Sequence, residues 1–416
     1  MPLLLLCAAL LLASDWPQFL GPTRDGVYAG TDIASSWPAT GPPVVWRKDV
    51  GEGFAGPVVT GGKLILFHRT AGKEIVECWD ATTGAKVWSY DSPTAYRDDF
   101  GFDEGPRAAP VVVDGAIYTF GAEGVLTSLD FTTGKKRWSV ATHTQFSVRK
   151  GFFGAAGSPL VEGGRVLVNV GGPGAGIVAF DAKTGGVAWK TTSDEASYSS
   201  PAIATIGGAR HALFFTRAGL VDLDPSNGQV RFTFPWRSRS SASVNAATPL
   251  VIGNQVFVSA SYGTGAALLE VNGSQFRKIW SSDDAMSNHY STCVYRDGFL
   301  YGFHGRQEEG QALRCVELRT GKVMWNVDGY GAGTVTLAGD RLLILRENGE
   351  LLMSPATPKE FRPGPHARIL NGVVRSYPAI ADGMLFARNE HTLVCVRLRS
   401  RRGAGTRACS AETPNS

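Results

Sequence analysis

The sequence contains no adjacent pair of cysteines and no Cys-x-x-Cys motif. Its six cysteines are isolated, at Cys7, Cys78, Cys293, Cys315, Cys395 and Cys409. Structural zinc sites take their thiolates from closely spaced cysteines, so this spacing argues against a zinc site. Cys78, Cys315 and Cys395 occupy equivalent places in a repeat described below, and we expect them to be small buried hydrophobic residues.

Charge of one sign is also scarce. There are 41 Lys and Arg against 37 Asp and Glu, for a net charge of +4. A balance this even gives little support to a nucleic-acid or anionic-membrane partner. Familiar catalytic motifs are missing as well: no Gly-x-Ser-x-Gly, His-Glu-x-x-His or Walker pattern occurs. The glycine-rich stretch 171–176 does not open a helix after a strand, so it does not predict a phosphate site.

No stretch is apolar for long enough to span a bilayer, which takes about 20 residues. The apolar run from Leu3 to Ala13 suits the central region of a signal peptide, so we predict that residues 1–14 are removed on export to a bacterial periplasm or medium. No basic residue precedes the run, which leaves open whether the true start lies upstream. Leu6 is not the small residue that a lipoprotein signal places before its cysteine, and lipidation of Cys7 stays open.

What the sequence does contain is a repeated nine-residue segment. Each copy has an acidic residue first, a polar turn, Gly fifth and usually Trp ninth. The copies are Asp80–Trp88, Asp130–Trp138, Asp181–Trp189, Asp224–Phe232 and Glu317–Trp325. This pattern is typical of a hairpin, because the acid accepts hydrogen bonds from turn amides and Gly supplies a positive φ. The ring then fills the gap to a neighbouring sheet. Turn chemistry therefore accounts for these carboxylates, and we do not assign them to a metal.

A second landmark is a residue, usually small, followed by Pro and an apolar run. It recurs every 42 to 53 residues, at Pro57, Pro110, Pro159, Pro201 and Pro249, and again at Pro378. Segments 291–294 and 333–336 fill the same place without Pro, which makes eight. With 51 Gly and 22 Pro for tight turns, the period predicts an all-β, eight-bladed β-propeller with four-stranded antiparallel blades. Pro is tolerated on edge strands, so we expect these strands to line the axis.

The last blade lacks a closing Trp strand of its own. The segment from Val44 to Trp46, before the first blade, is not part of any other blade. We predict that it supplies the outer strand of blade eight and closes the ring. Four prolines interrupt blade seven, so its outer strand is expected to be degenerate or displaced. The predicted domains are a signal peptide (1–14), an arm packed on the propeller (15–43), the propeller (44–399) and a disordered tail (400–416).

The segment Val178-Ala-Phe-Asp-Ala-Lys-Thr-Gly-Gly-Val-Ala-Trp189 resembles the signature of the pyrroloquinoline-quinone (PQQ) repeat family, and the opening Asp15-Trp-Pro-Gln-Phe-Leu-Gly is similar to exported propellers of that type. The resemblance covers roughly residues 15 to 399. It implies one of two branches. Quinoprotein dehydrogenases hold PQQ and calcium on the axis and oxidise alcohols or sugars, whereas an outer-membrane protein assembly lipoprotein binds partner proteins without catalysis.

Family dehydrogenases typically place a vicinal disulfide against the quinone, and this chain has no Cys-Cys pair. We therefore expect no cofactor and predict a monomeric, non-catalytic protein-binding or scaffold module. A PQQ-dependent dehydrogenase with calcium is the alternative, and small-molecule or carbohydrate binding at the channel mouth is the second alternative.

Function in a propeller usually lies on the loops at one face. The loop before Pro110 is rich in charge, and Asp99, Asp103, Glu104 and Arg107 would bind a cation or a charged ligand; a solvated loop with internal ion pairs accounts for them equally. The next loop adds Phe153. Residues preceding the inner strands converge near the axis, and the candidates among them are Tyr198, Asn245, Asn288, His289 and Tyr377. His289 would be an acid or base only beside a carboxylate, and the sequence identifies none.

Overall fold

A computed structural model describes residues 15–238, 240, 244–272 and 275–399. Within these ranges nearly all regular structure is strand. The helical pieces are one α-helical turn, Thr142–Gln145, and one 3-10 turn, Gln307–Glu309. No helix among the described residues is long and apolar enough to cross a membrane. The predicted signal peptide and tail, with Cys7 and Cys409, lie outside the described residues.

The strands form eight sheets, and each sheet is one blade of a propeller. The strands of each blade are given from the innermost outwards. Blade 1 is Val58–Thr60, Lys63–Thr70, Lys73–Asp80 and Lys86–Pro93, and blade 2 is Val111–Val113, Ala116–Phe120, Val125–Asp130 and Lys136–Ala141. Blade 3 is Leu160–Glu162, Arg165–Gly172, Ala175–Asp181 and Val187–Thr191, and blade 4 is Ala202–Ile206, Ala209–Phe215, Gly219–Leu223 and Val230–Pro235.

Blades 5 to 8 follow the same order. Blade 5 is Leu250–Ile252, Gln255–Ala260, Gly265–Asn272 and Gln275–Ser282, and blade 6 is Val294–Arg296, Phe299–His304, Ala312–Glu317 and Val323–Val327. Blade 7 is Gly333–Ala338, Arg341–Arg346, Glu350–Pro355 and His366–Arg368, and blade 8 is Ala379–Ala381, Met384–Arg388, Thr392–Arg397 and Val44–Asp49. The predicted eight-bladed all-β fold is confirmed. Buried apolar residues fill the gaps between blades, among them Cys78, Cys315 and Cys395, as predicted.

The ring is closed as predicted. Val44–Asp49 pairs antiparallel with Thr392–Arg397, and Trp46 lies opposite Cys395. The first and last parts of the propeller thus share one sheet, which leaves no open seam between blades 8 and 1. Blade 7 keeps its outer strand in place, but that strand has only three residues, His366–Arg368.

The N-terminal arm lies across the innermost strands. Trp16 pairs with Val59 of blade 1, and the short strand Val27–Tyr28 runs parallel to the innermost strand of blade 7. Between them, the guanidinium of Arg24 donates to the carbonyl oxygens of Ser158 and Pro159 in blade 3. The arm therefore crosses the axis and closes the central channel from one end.

Arg24 is only 2% exposed, and no carboxylate among the described residues pairs with it. Burial lowers its pKa to about 9. Its charge is held by carbonyl oxygens and by the side-chain oxygen of Gln18.

The repeated hairpin connects the third and fourth strands of a blade and also contacts the preceding blade. Oδ1 of Asp181 accepts hydrogen bonds from the amides of Lys183 and Thr184 and from the Thr184 hydroxyl. Gly185 has φ of +75°, and a Cβ there would lie 2.8 Å from the ring of Trp138 in the preceding blade. The Trp138 indole N–H donates to the carbonyl oxygen of Ala182 at 3.1 Å. Five other tryptophans make the same bond to the blade that follows, namely Trp46, Trp88, Trp189, Trp280 and Trp325.

These hairpin turns lie at one end of the ring, which we call the turn face. The connections between blades and the hairpins between second and third strands lie at the other end, the loop face. The arm enters from the turn face, because it pairs with the ends of innermost strands that lead into turn-face hairpins. Within the described ranges, the axis is therefore open towards the loop face.

Candidate functional site

The loop face opens into a cavity of about 200 Å³ at the axis. Its floor includes Phe19 of the arm, whose ring stands edge-on to Tyr377 with centroids 5.1 Å apart. Tyr377 lies just before the innermost strand of blade 8. Its hydroxyl hydrogen-bonds to the backbone of Thr292, which lies just before the innermost strand of blade 6. We call this space the mouth cavity. Eight of its 18 lining residues are Phe or Tyr, namely Phe19, Phe54, Phe102, Phe153, Tyr198, Tyr262, Tyr290 and Tyr377.

Two guanidinium groups stand in the wall on the Phe54 ring. The Arg375 and Arg107 carbons lie 5.5 Å and 5.6 Å from its centroid, within the range of cation–π attraction. Nε of Arg375 donates to Glu347 at 2.5 Å, while its two terminal nitrogens have no acceptor among the described residues. Arg375 therefore keeps free donors towards the cavity, held in direction by Glu347.

Arg107 is more fully engaged. It donates to the carbonyl oxygen of Asp103 at 3.0 Å and lies 3.8 Å from a carboxylate oxygen of Asp98. Its main contribution to the cavity is the flat face that it offers beside Phe54 and Phe153.

The remaining polar groups in the wall are one carboxylate, Glu308, and several neutral side chains. Nε2 of His289 lies 3.2 Å from the Tyr262 hydroxyl, and Nδ1 accepts a long bond of 3.4 Å from the backbone N–H of Gln307. Burial lowers the pKa of His289, and the nearby charge of Glu308 acts in the opposite direction. The buried hydroxyl of Tyr290 has no hydrogen-bond partner among the described residues. Neither partner of His289 is a carboxylate, so its contacts do not form an acid–base pair.

An aromatic rim stands beside the mouth cavity. Phe100 and Phe102 are 54% and 49% exposed, and they lean on Phe152 and Phe153 with ring centroids 5.3 to 6.3 Å apart. Large apolar side chains that cluster on a surface mark interaction sites more often than single exposed ones do.

The mouth cavity brings together five of the ten residues predicted as site residues. They are Arg107, Phe153, Tyr198, His289 and Tyr377. Asp99 faces a neighbouring cleft and pairs with Lys150 at 2.5 Å. Glu104 pairs with Arg69 and Arg97.

The other three predicted residues hold the backbone of their loops. Asp103 accepts from the amides of Gly53 and Gly105. The Asn245 amide donates to carbonyl oxygens of Thr216 and Trp236, and that of Asn288 donates to Phe303. The loop with four carboxylates is thus organised by internal ion pairs and amide bonds, which is the plainer of the two interpretations that its sequence allowed.

Sequence reasoning missed Phe54, Phe102, Tyr262 and Arg375. Phe54 and Arg375 lie in the connections into the innermost strands of blades 1 and 8, so their place in the repeat was available as a signal. Tyr262 comes from a hairpin inside blade 5, and nothing in its local sequence indicates that it reaches the axis.

The residues present do not fit a quinone held with calcium on the axis. The cavity is smaller than the roughly 300–1,000 Å³ of drug-sized ligand pockets. No group of three His, Cys, Asp or Glu side chains among the described residues is placed to hold a metal ion. Cys78, Cys293, Cys315 and Cys395 are buried singly, each as a free thiol.

Comparison with known proteins gives two kinds of relative. A family model described as outer membrane protein assembly factor BamB matches residues 29–150 and 72–327. The protein of that name from Yersinia pestis is 23% identical over 290 residues, which cover 64% of this chain and 68% of that one. Quinohemoprotein alcohol dehydrogenase ADH-IIG from Pseudomonas putida is 28% identical over 151 residues, 35% of this chain. The match spans only 20% of the dehydrogenase's length.

Solved structures agree on the architecture. BamB from Moraxella catarrhalis superposes with a TM-score of 0.65 at 14% identity, covering 86% of this chain and 99% of that one. The quinohemoprotein alcohol dehydrogenase from Comamonas testosteroni gives 0.55 at 14% identity, covering 97% and 82%. Likeness at this level of identity shows the fold alone.

Proposed function

Because the chain belongs to the family described as outer membrane protein assembly factor BamB, we propose that it is a non-catalytic protein-binding or scaffold module. It acts after export, in the periplasm or outside the cell, and its partner docks on the loop face. The observation that carries this proposal is the aromatic rim. Phe100 and Phe102 expose about half of their surface beside a cavity with an aromatic wall.

The mouth cavity suits one side chain of a partner. Its volume of about 200 Å³ is small for a cofactor, and its wall combines flat rings with a few directed polar groups. Arg375 offers terminal N–H donors, and Tyr290 offers a hydroxyl without a partner among the described residues. A protein interface of this kind gains most of its affinity from a buried anchor surrounded by a rim that excludes water.

Photo-crosslinking in intact cells tests the docking face. A benzophenone amino acid replaces Phe102 on the rim or, as the matched control, Val187, which is 43% exposed on the outer strand of blade 3. We expect a discrete protein adduct from position 102 and none from position 187. Equal adducts from both positions, or none from position 102, would contradict the proposal.

A second experiment tests the alternative of a quinoprotein dehydrogenase. The purified protein receives PQQ and calcium, and melting and dye-linked alcohol oxidation are measured. We expect no change in melting temperature and no turnover, because the residues on the axis match neither ligand. A saturable shift with turnover would replace the scaffold proposal by an enzymatic one.

A further inference from the structure

One position in the repeat separates blade 3 from its neighbours. It is the residue near the loop-face end of the second strand that points into the gap to the next blade. The strand registers place Phe67, Phe120, Phe215 and Phe303 there in blades 1, 2, 4 and 6. All four rings are buried and pack between blades. In blade 3 the same register brings Asn169 to this place.

Three other blades also lack Phe at this position; one of them places a buried leucine there, and the other two place polar residues that make hydrogen bonds. The Ser259 hydroxyl of blade 5 donates to the carbonyl oxygen of Met286 at 2.6 Å. In blade 7 the register brings the buried Leu345 to this place, and Arg388 of blade 8 donates to the carbonyl oxygen of Gly51. Asn169 is 7% exposed, yet neither its amide nitrogen nor its oxygen has a partner among the described residues.

A cleft of about 620 Å³ lies where the missing ring would be. We call it the blade 3–4 cleft. Asn169 and Gly171 line it from blade 3, Tyr198 and Arg217 from the blade 4 side, and Phe152 from the loop above. Its volume falls within the range of about 300–1,000 Å³ that is usual for small-ligand sites. A buried amide left without partners costs on the order of 1–3 kcal/mol, so a ligand that bonds to it in the cleft wall would recover that free energy.

The chemistry of the wall favours a sugar. An Asn amide presents one donor group beside one acceptor, which matches a pair of neighbouring hydroxyls. Phe152 supplies an aromatic platform, with the Arg217 guanidinium 5.2 Å from its centroid. Serine side chains add further hydroxyl groups at Ser147 and Ser193.

The charges of the cleft favour an acidic sugar. Lys150 pairs with Asp99, and Arg217 pairs with Glu195. Arg149 is exposed, lines the cleft and makes no ion pair with any residue that the structure describes. We propose that the blade 3–4 cleft binds a saccharide that carries one carboxylate, with Asn169 on its hydroxyls and Arg149 on its acid group. This site borders the mouth cavity, with which it shares Ala156 and Tyr198, but it does not depend on a protein partner.

Binding of galacturonate, galactose and digalacturonate to the full chain, measured by saturation-transfer NMR and titration calorimetry, tests the proposal. We expect galacturonate to bind at least about tenfold more tightly than galactose, because only the acid meets Arg149. If digalacturonate binds more tightly than galacturonate, the natural ligand is the end of a polysaccharide. If the two bind equally, the natural ligand is a free monosaccharide. Absence of binding by all three sugars would overturn the proposal.

The variant Asn169→Phe restores the residue of the sister blades. We expect it to abolish galacturonate binding and to raise the melting temperature, since the ring blocks the blade 3 wall of the cleft and removes the unpartnered amide. A purely structural asparagine predicts a fall in melting temperature instead. Arg149→Met, at an exposed position that does not affect folding, should reduce galacturonate binding to the level of galactose, whereas Arg319→Met on blade 6 should leave it unchanged. Undiminished binding in both Asn169→Phe and Arg149→Met would overturn the assignment.

Discussion

Acidic side chains occur on both the turn face and the loop face of this propeller, but their surroundings shift their pKa values in opposite directions. On the turn face, partly exposed carboxylates such as Asp80 and Asp181 accept hydrogen bonds from threonine hydroxyls and turn amides, and these hydrogen bonds lower their pKa values. On the loop face, Glu74 is buried, and burial raises its pKa to about 7. Because the same acidic turn is repeated from blade to blade, we interpret the turn face as scaffold. The loop face differs from blade to blade, and its exceptions are where we place the binding sites.

The largest expected effect comes from opening the ring. A chain that starts at Arg47 loses the arm and half of the outer strand of blade 8, including Trp46, which is 8% exposed. Removing a buried Trp alone costs about 3–5 kcal/mol, and we expect a loss of at least 5 kcal/mol in the free energy of unfolding. Denaturant melting against a chain that starts at Asp15 measures it. If the two chains melt alike, the closing strand is not needed for the scaffold.

The next effect separates steric contact from backbone freedom on the turn face. Gly185→Ala places a methyl group 2.8 Å from Trp138 at φ of +75°, and we expect a loss of about 2–4 kcal/mol. Gly174→Ala is the matched control, because Gly174 also has positive φ, +61°, but no atom within 4 Å of a Cβ. It should cost only about 1 kcal/mol. Equal losses in thermal melting would show that the Trp contact contributes nothing.

A smaller effect tests the buried carboxyl on the loop face. The pKa of Glu74 is raised above its unfolded value of 4.5, so the folded state binds more protons between pH 4.5 and about 7, and stability falls as pH rises across that window. Glu74→Gln, which keeps the acceptor for the Ala122 amide at 2.8 Å, should remove this fall and stabilise the protein by about 1–3 kcal/mol at pH 8. Urea melts at pH 5 and pH 8 measure it. An unchanged pH dependence would contradict a buried, proton-binding Glu74.

The smallest expected effect concerns His304, whose contribution to the pH dependence of stability is opposite in sign to that of Glu74. Burial lowers the pKa of His304 from 6.5 to about 4, so the unfolded state binds more protons and stability falls as pH drops through that range. His304→Asn retains an acceptor for the Ser287 amide without a titrating group. Because His304 is partly exposed, we expect the variant to recover only about 1 kcal/mol at pH 4.5 relative to pH 7.5. A parallel pH profile in parent and variant would refute this assignment.

Much of the turn face follows from local sequence. Asp181, Thr184, Gly185 and Trp189 lie within nine residues, so their hydrogen bonds and positive φ are written in one segment. The loop face is different. Arg107 and Arg375 are both on Phe54, although 268 positions separate the two arginines in the chain. Local patterns carry no signal for such meetings, which is why only half of the predicted site residues line the mouth cavity.

The sequence by itself determined the eight blades, the acidic turns, the buried cysteines and the strand that closes the ring, because each depends on short-range periodicity and turn chemistry. Only the tertiary structure decided that the arm would cross the axis, with Arg24 bonded to Ser158 and Pro159, and that Asn169 would face a cleft where sister blades place Phe. Those features depend on which side chains the curvature of the ring brings together, and the curvature is a property of all eight blades at once.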